Sequence, residues 1–436
     1  MSVSGRSGTP ARATRSAVAL RAATPAGIAR ERSRRAASGT SASTSRPPRP
    51  SPCRRRRQPR CASRAGASTS SADDYLLVAG FPLRPAFRRE TVRTEVVKGR
   101  IWTFEQPHGL GFSRITVNIR MTVVKLRDGT LLVYCPIAPT RSCLSLLSDL
   151  GAEVSVIVLP SFAIEHKAFC GPFSRRFPGA AVRVGPGCSW TFPLDLPLPL
   201  IGIFNARELG GEGEDDAWPA DEFDFAPFVA RFSDLGPYAE LALYHRDTRT
   251  LLVTDCVCYV PEEPPAGVPM EDVLANSATG EDTRASRRVG WARIVMQVLF
   301  FGPRDLSLRG WETESAPAGF AEVKERLIVS PVVRELVFRE VPEDVRAWVS
   351  TLCSFDFVRI IPAHLASPVR AGPSTLREAF AFAFEDAELP LAARLQRAVR
   401  GGGGGEEEAN PDLGALNSLN SILRLIGAKK RKAPDV

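Results

Sequence analysis

The chain has 436 residues, nine cysteines, four histidines and a formal net charge of +9. Residues 1–72 hold sixteen arginines, no lysine and one acid, Glu31, so they carry +15 and the rest carries −6; a basic body built to neutralise nucleic-acid phosphates is excluded. The odd cysteine count without a C-x-x-C pair argues against a disulfide framework, and no run reaches the ~20 apolar residues that cross a bilayer.

In chain order, residues 1–72 are rich in Arg, Ser, Ala, Thr and Pro and lack aromatics, so they cannot bury enough apolar surface to fold. They read as a disordered organelle transit peptide. An Arg-rich nucleic-acid arm around Arg54 and Arg57 is the rival, but no aromatic is interleaved to stack on bases. Residues 73–400 read as one folded body. His108, in EQPHGLG, falls in a loop before the first strand. Residues 115–126 and 130–135 are β-rich runs joined by Arg127, Asp128 and Gly129, a hairpin signal. A short helix over 143–150, apolar at Leu144, Leu147 and Leu150, stops at Gly151. Residues 154–159 suit a buried strand that Pro160 ends, with Glu165 and His166 in the loop beyond it. A helix over 169–177 and a strand over 181–184 follow, then a turn at Gly185 and Gly187.

The acidic stretch 208–224 reads as a solvated loop anchored by Trp218 and Phe223 and able to rim a site opening. A hairpin of residues 240–244 and 250–255 comes next, with His245 as a solvated turn residue. Cys256 and Cys258 point to opposite sides of the continuing strand as packed thiols. Helices near 291–301 and 343–352 and a strand over 357–362 complete the body. Residues 294–301 and 189–204 are too short or too broken by Gln297, Asp195 and proline to span a membrane. From Gly401 the chain turns to five glycines and three glutamates. Leu416, Leu419, Leu423 and Ile426 then recur at helical spacing, either a docking helix on a flexible linker or a frayed tail. Residues 429–432 are a short basic run.

Three separated pieces share one register: PSFAIEHKAF (160–169), LGPYAELALYHRDTRTLLVTD (235–255) and VRIIPAHL (358–365). Each runs from a strand into a polar segment carrying a carboxylate, a histidine or both. Their order resembles the metallo-β-lactamase superfamily, with its H-x-H-x-D-H box, G-H-T-x-G stretch, G-D pair and final G-H. The resemblance lays the box on residues 161–166, the G-H pair on Leu235 and Gly236, the bridging Asp on Asp255 and the closing histidine on His364. It implies that the three ligands of the first metal are lost, at Ser161, Ala163 and Gly236. It also implies that all four of the second are kept or replaced in kind: Glu165, His166, Asp255 and His364. Two imidazoles and two carboxylates form an N/O set for one divalent Zn, Fe(II) or Mn ion. Glu165 is one methylene longer than the family's Asp, and Lys167 places a cation beside the ligands.

A second resemblance spans residues 102–385. It rests on WTFEQ, RMTVVKL, PIAPT, EHKAFCGPFSRRFPGA, SWTFPLDLPLPLIGIF, HRDTRTLLVTD, ARIVMQVLFFGP and FVRIIPAH. These phrases are similar to domain-of-unknown-function family 4336 of photosynthetic microbes, algae and plants. The resemblances imply an α/β chain folded as an αβ/βα sandwich of the metallo-β-lactamase type, with a plastid-stroma location and a mitochondrion as alternative. They name no reaction. Two functions stand. One is a mononuclear metal-dependent hydrolase using metal-bound water on an unknown small molecule. The other is a metal-free, inactive binding or scaffold protein with a protein partner, in which Glu165 and Asp255 pair with Lys167, His166 and His364. Nucleic acid is not an expected partner.

Overall fold

Near-continuous buried runs along two groups of strands, with successive residues turned to opposite faces, decide the architecture. The computed structural model describes residues 83–84, 89–110, 114–191, 195–211, 215–231, 236–300 and 317–388, with Leu416, Leu419 and Ser421 helical further on. The leader and nearly all of the C-terminal segment lie outside the described residues; Leu416 is fully buried.

The first half gives β1 (Leu83–Arg84), β2 (Val92–Val97), β3 (Ile101–Leu110), β4 (Thr116–Lys125), β5 (Leu131–Tyr134), α1 (Arg141–Ser148), β6 (Val154–Leu159), α2 (Ile164–Ser174), β7 (Ala181–Val184) and β8 (Ala206–Glu208). Its strands form one sheet in the order β1-β3-β4-β5-β6-β7-β8, with β2 on β3. Strands β5 to β8 run parallel, and α1 and α2 supply the crossovers that parallel neighbours need. The second half gives β9 (Phe223–Ala230), β10 (Tyr238–His245), β11 (Thr250–Leu252), β12 (Val257–Tyr259), α3 (Met270–Ala275), α4 (Arg284–Phe300), α5 (Ala318–Val323), β13 (Leu327–Val329), α6 (Pro331–Leu336), α7 (Pro342–Ser354), β14 (Arg359–Ile361), α8 (Pro373–Ala379) and α9 (Ala381–Glu388). Here the sheet order is β14-β11-β10-β9, and β12 pairs with β13 apart from it.

Alternate residues sort cleanly between layers. Leu132, Tyr134, Val156 and Val158 share one core with Leu241, Leu243, Leu252 and Ile361, so the two sheets face each other. Tyr134 ties them with a hydrogen bond to the Leu241 carbonyl, 2.8 Å. The intervening Leu131, Val133, Ile157 and Leu159 pack outward among Cys143, Leu147, Phe169 and Phe173 of α1 and α2. On the far side Ala242, Tyr244, Leu251 and Ile360 meet Val345, Val349 and Leu352 of α7 and Leu376 of α8. The i, i+4, i+7 stripe on α7 explains why it docks there, and each fully buried aliphatic contributes about 1.5–3 kcal/mol. The result is the αβ/βα sandwich that the metallo-β-lactamase resemblance implied.

The hairpin after β4 forms at Gly129, which adopts φ +90°. Helix α1 starts where Thr140 caps it, its hydroxyl accepting from the Cys143 amide at 3.1 Å, and ends before Gly151 at φ +63°. Cys256 and Cys258 fall in different cores, as their spacing requires. Four expectations fail. The first strand is not at residue 115, because β2 and β3 precede it, and His108 lies inside β3; Pro107 and Gly109 disguised that strand. Glu165 and His166 are not in a loop. Helix α2 starts at Ile164, well before residue 169, and Ala163 offers no side-chain cap to announce the start. His245 is fully buried rather than solvated, with its Nδ1 on Thr248 at 2.8 Å. In the acidic stretch Trp218 and Phe223 are anchors as expected, but Glu222 is buried too, accepting from the Arg127 amide at 2.8 Å.

Candidate metal centre

Strand register brings the candidate residues together. Strands β11 and β14 are parallel neighbours with Leu252 opposite Ile361. Asp255 and His364 each come three residues beyond that pair, so they leave the same sheet edge side by side. Strand β6 of the facing sheet runs through Pro160 and Ser161 into α2, placing Glu165 and His166 in its first turn. A bridge between Ser161 and Glu240 and another between Ile119 and His364 join the sheets at this edge. The acidic side chain also suits the positive end of the α2 dipole.

Asp255 sits at the centre. Its Oδ2 is 3.3 Å from His166 Nε2 and its Oδ1 is 3.2 Å from His364 Nε2. The two imidazole centroids are 5.3 Å apart, and with Glu165 the ligand atoms all lie within 4.8 Å of one another. Each histidine is oriented from behind. His364 Nδ1 donates to the Asn118 carbonyl at 2.9 Å, which leaves the Nε2 lone pair facing Asp255. His166 Nδ1 meets Cys135 Sγ at 2.9 Å. Its Nε2 is buried and, despite the nearby carboxylate, has no partner in hydrogen-bond geometry. Two imidazole nitrogens and two carboxylates converging on one point are a donor set that a cation could share, and outer partners that orient the rings are the usual support of such a set.

The segments that carry these candidate residues are clamped. The Glu240 carboxylate, fully buried, accepts from the amides on either side of Asp255, Thr254 at 2.7 Å and Cys256 at 3.0 Å. Tyr238 donates to it at 2.8 Å. Arg120, also buried, donates to the carbonyls of Pro362 and Leu365 that bracket His364 and pairs with Glu105 at 2.7 Å. Asn118 accepts from the Leu365 amide at 2.9 Å and donates to its carbonyl at 3.0 Å. Cys135 and Leu365, each beside a histidine, adopt φ of 60° and 56°. Left-handed backbone at non-glycine residues concentrates at functional sites.

Electrostatics follow from burial and pairing. Burial opposes a charge on Asp255, but His166 and His364 outweigh it and hold its pKa well below the usual carboxylate range. Burial likewise opposes a charge on His166. Cys135 and Asp255, one on each ring nitrogen, reverse this and raise its pKa well above the ordinary value. Burial raises the Cys135 thiol, and His166 beside it opposes that rise. His108, whose ring lies 6.2 Å from that of His364, has its pKa lowered first by burial and then by His364 and Arg89.

The positions of the missing ligands are built over. The Ser161 hydroxyl lies 3.4 Å from Asp255 Oδ2 and caps the Ala163 amide at 3.2 Å. Gly236 has φ +105°, and a Cβ there would meet the Trp190 ring at 2.1 Å. No histidine fits that position. Lys167 is a further correction: its ammonium turns away to the Trp190 carbonyl and Thr191, not to Glu165 or Asp255, and burial lowers its pKa to about 8. The described part of the acidic stretch 208–224 does not line the cavity at this site. A second cluster, Glu222, His245 and Asp247, is already neutralised by Arg100, 3.2 Å from Glu222 and 2.9 Å from Asp247, and by Arg127. Sequence reasoning missed Cys135, His108, Arg120 and Glu240. Glu240 within ELALY, Arg120 at the head of RMTVVKL and His108 in EQPHGLG lay in phrases already singled out.

Among solved structures, the chain is similar to the metal-soaked Flv1 flavodiiron core from Synechocystis sp. PCC6803, at 10% identity and a TM-score of 0.38, over 68% of this chain and 62% of that one. It is similar to a fragment of a putative diflavin flavoprotein A 5 from Nostoc sp. PCC 7120, at 12% identity and 0.37, over 71% and 99%. It is also similar to a metallo-β-lactamase from Erythrobacter litoralis, at 12% and 0.36, over 68% and 97%. No curated protein matches the sequence. The family model described as a domain of unknown function, DUF4336, matches residues 98–318 and 310–382, and the chain belongs to that family.

Proposed function

We propose that this protein is a mononuclear metal-dependent hydrolase acting inside a plastid, with Glu165, His166, Asp255 and His364 as the metal ligands. The observation that carries the reading is the convergence of Glu165, His166, Asp255 and His364, whose ligand atoms all lie within 4.8 Å of one another, with His364 Nδ1 turned to the Asn118 carbonyl so that its Nε2 faces Asp255. A divalent ion held by this set would supply Lewis acidity toward a scissile carbonyl and toward water, whose pKa such an ion brings to ~7. The chain's own groups do the rest. Glu240, Arg120 and Cys135 hold the ligands in place, so little reorganisation is needed. His108 stays a neutral imidazole at ordinary pH, with one nitrogen able to donate to a substrate oxygen.

The metal-free reading has one observation in its favour: Asp255 already lies within 3.3 Å of both imidazoles, a charge balance that needs no ion. Hydrolysis of a panel of carboxylic esters and thioesters by protein reconstituted with Zn, Fe(II) or Mn separates the two. The hydrolase reading expects turnover that His364→Ala abolishes. Equal rates for that variant and the wild type would refute it.

A further inference from the structure

A cavity of about 420 Å³ reaches the candidate centre, with Glu165, Asp255 and His364 at its polar end. That volume falls in the range of ~300–1,000 Å³ that holds a small organic ligand. Its walls come from Ile115 just before β4 and Val117 within it, Val257 of β12, Val298 and Leu299 of α4, and Val333 of α6. Gln297 and Ser330 are the polar side chains far from the ligands. Among the described residues no lysine or arginine lines it. His108 does line it, is 4% exposed, and its Nδ1 has no hydrogen-bond partner.

We infer that this cavity takes an uncharged ester with an unbranched apolar acyl chain, the chain lying between β4, α4 and α6 and the carbonyl oxygen facing His108 and the four-residue set. A carboxylate or phosphate at the far end of the chain would be buried without a cation, a cost that excludes it. The acyl chain gains what apolar burial gives, about fourfold in affinity per methylene (~0.8 kcal/mol) until the space is filled. The bond broken rests on the hydrolase reading. Water adds across the acyl C–O bond, its oxygen joining the carbonyl carbon, one proton going to the departing alcohol and the other to solvent. The binding of the chain does not depend on that reading.

Displacement of the uncharged fluorophore N-phenyl-1-naphthylamine from the full chain tests the inference directly. Methyl butanoate, hexanoate and octanoate are expected to displace it with affinity rising about fourfold per methylene. Monomethyl suberate, the same eight-carbon chain ending in a carboxylate, is expected to bind on the order of tenfold more weakly or worse. Val298→Trp and Val332→Trp fill the cavity from half-buried positions; both are expected to weaken binding while bound metal and melting temperature stay unchanged. Val298→Arg, which adds a cation, is expected to reverse the preference toward monomethyl suberate. A flat chain-length series, no fluorophore binding, or binding untouched by both tryptophans would overturn the inference. Chain-length-dependent binding by a protein that holds no metal would support the inference and sink the hydrolase reading alone.

Discussion

Glu240 is the residue whose loss should most clearly join stability to the site. It is fully buried and accepts from Tyr238 Oη and from the amides of Thr254 and Cys256. Replacement by alanine strands those two buried amides, each at about 1–3 kcal/mol, and leaves the Tyr238 hydroxyl unpaired. Its expected cost is therefore about 3–6 kcal/mol. Replacement by glutamine keeps one acceptor and turns an NH₂ toward the other amide, which loses its partner. Burial and the neighbouring Asp255 raise the Glu240 pKa, so the neutral side chain recovers part of that loss. About 1–3 kcal/mol is expected for Glu240→Gln. Urea unfolding followed by tryptophan fluorescence gives both values. Because the amides flank Asp255, Glu240→Ala should also lose bound metal while still folded at low temperature. An alanine variant within about 0.5 kcal/mol of wild type, a surface-like value, would refute the argument.

Gly236→Ala should cost about 1–3 kcal/mol, because its Cβ overlaps the Trp190 ring and the backbone φ is positive; Trp190→Leu in the same chain should recover part of the loss, and an unchanged melting temperature would contradict the overlap. Burial lowers the pKa of His245, so the unfolded chain binds that proton more tightly. The stability this gives is full above the unfolded value of about 6.5 and falls as pH drops toward the folded pKa. Between pH 7 and 5 the wild type should therefore lose stability more steeply than His245→Gln, and parallel curves would refute this. A fluorescent protein fused to residues 1–72 should accumulate in plastids; retention in the cytosol or entry into the nucleus would defeat the organelle reading.

The parts legible in the sequence were those where local pattern and tertiary role agree. The Asp-Gly hairpin, the helix that Gly151 ends and the apolar run 154–159 that forms β6 each announce themselves locally. The candidate set could be named because Glu165, His166, Asp255 and His364 sit in phrases with a family order, and equal offsets of Asp255 and His364 from paired strands then bring those two together. Strand β3 was not legible, since Pro107 and Gly109 mark turns far more often than strands. The start of α2 was hidden because no capping side chain precedes Ile164. His245 looked like a turn residue because its burial comes from Glu222 and Phe223, which only the fold brings near. Cys135 carried no signal and Arg120 none beyond its place in RMTVVKL, as each acts on carbonyls or a ring more than thirty residues away in sequence.

The central claim is a single metal ion held by Glu165, His166, Asp255 and His364. Elemental analysis of protein purified without chelator, and again after reconstitution with Zn, Fe(II) and Mn, tests it most directly. One ion per chain is expected, lost in both His166→Ala and His364→Ala, with a fall in melting temperature in step with the loss, since an ion that binds only the folded chain stabilises it. Two ions per chain would contradict the half-site, and no ion under any of these conditions would contradict the metal centre itself.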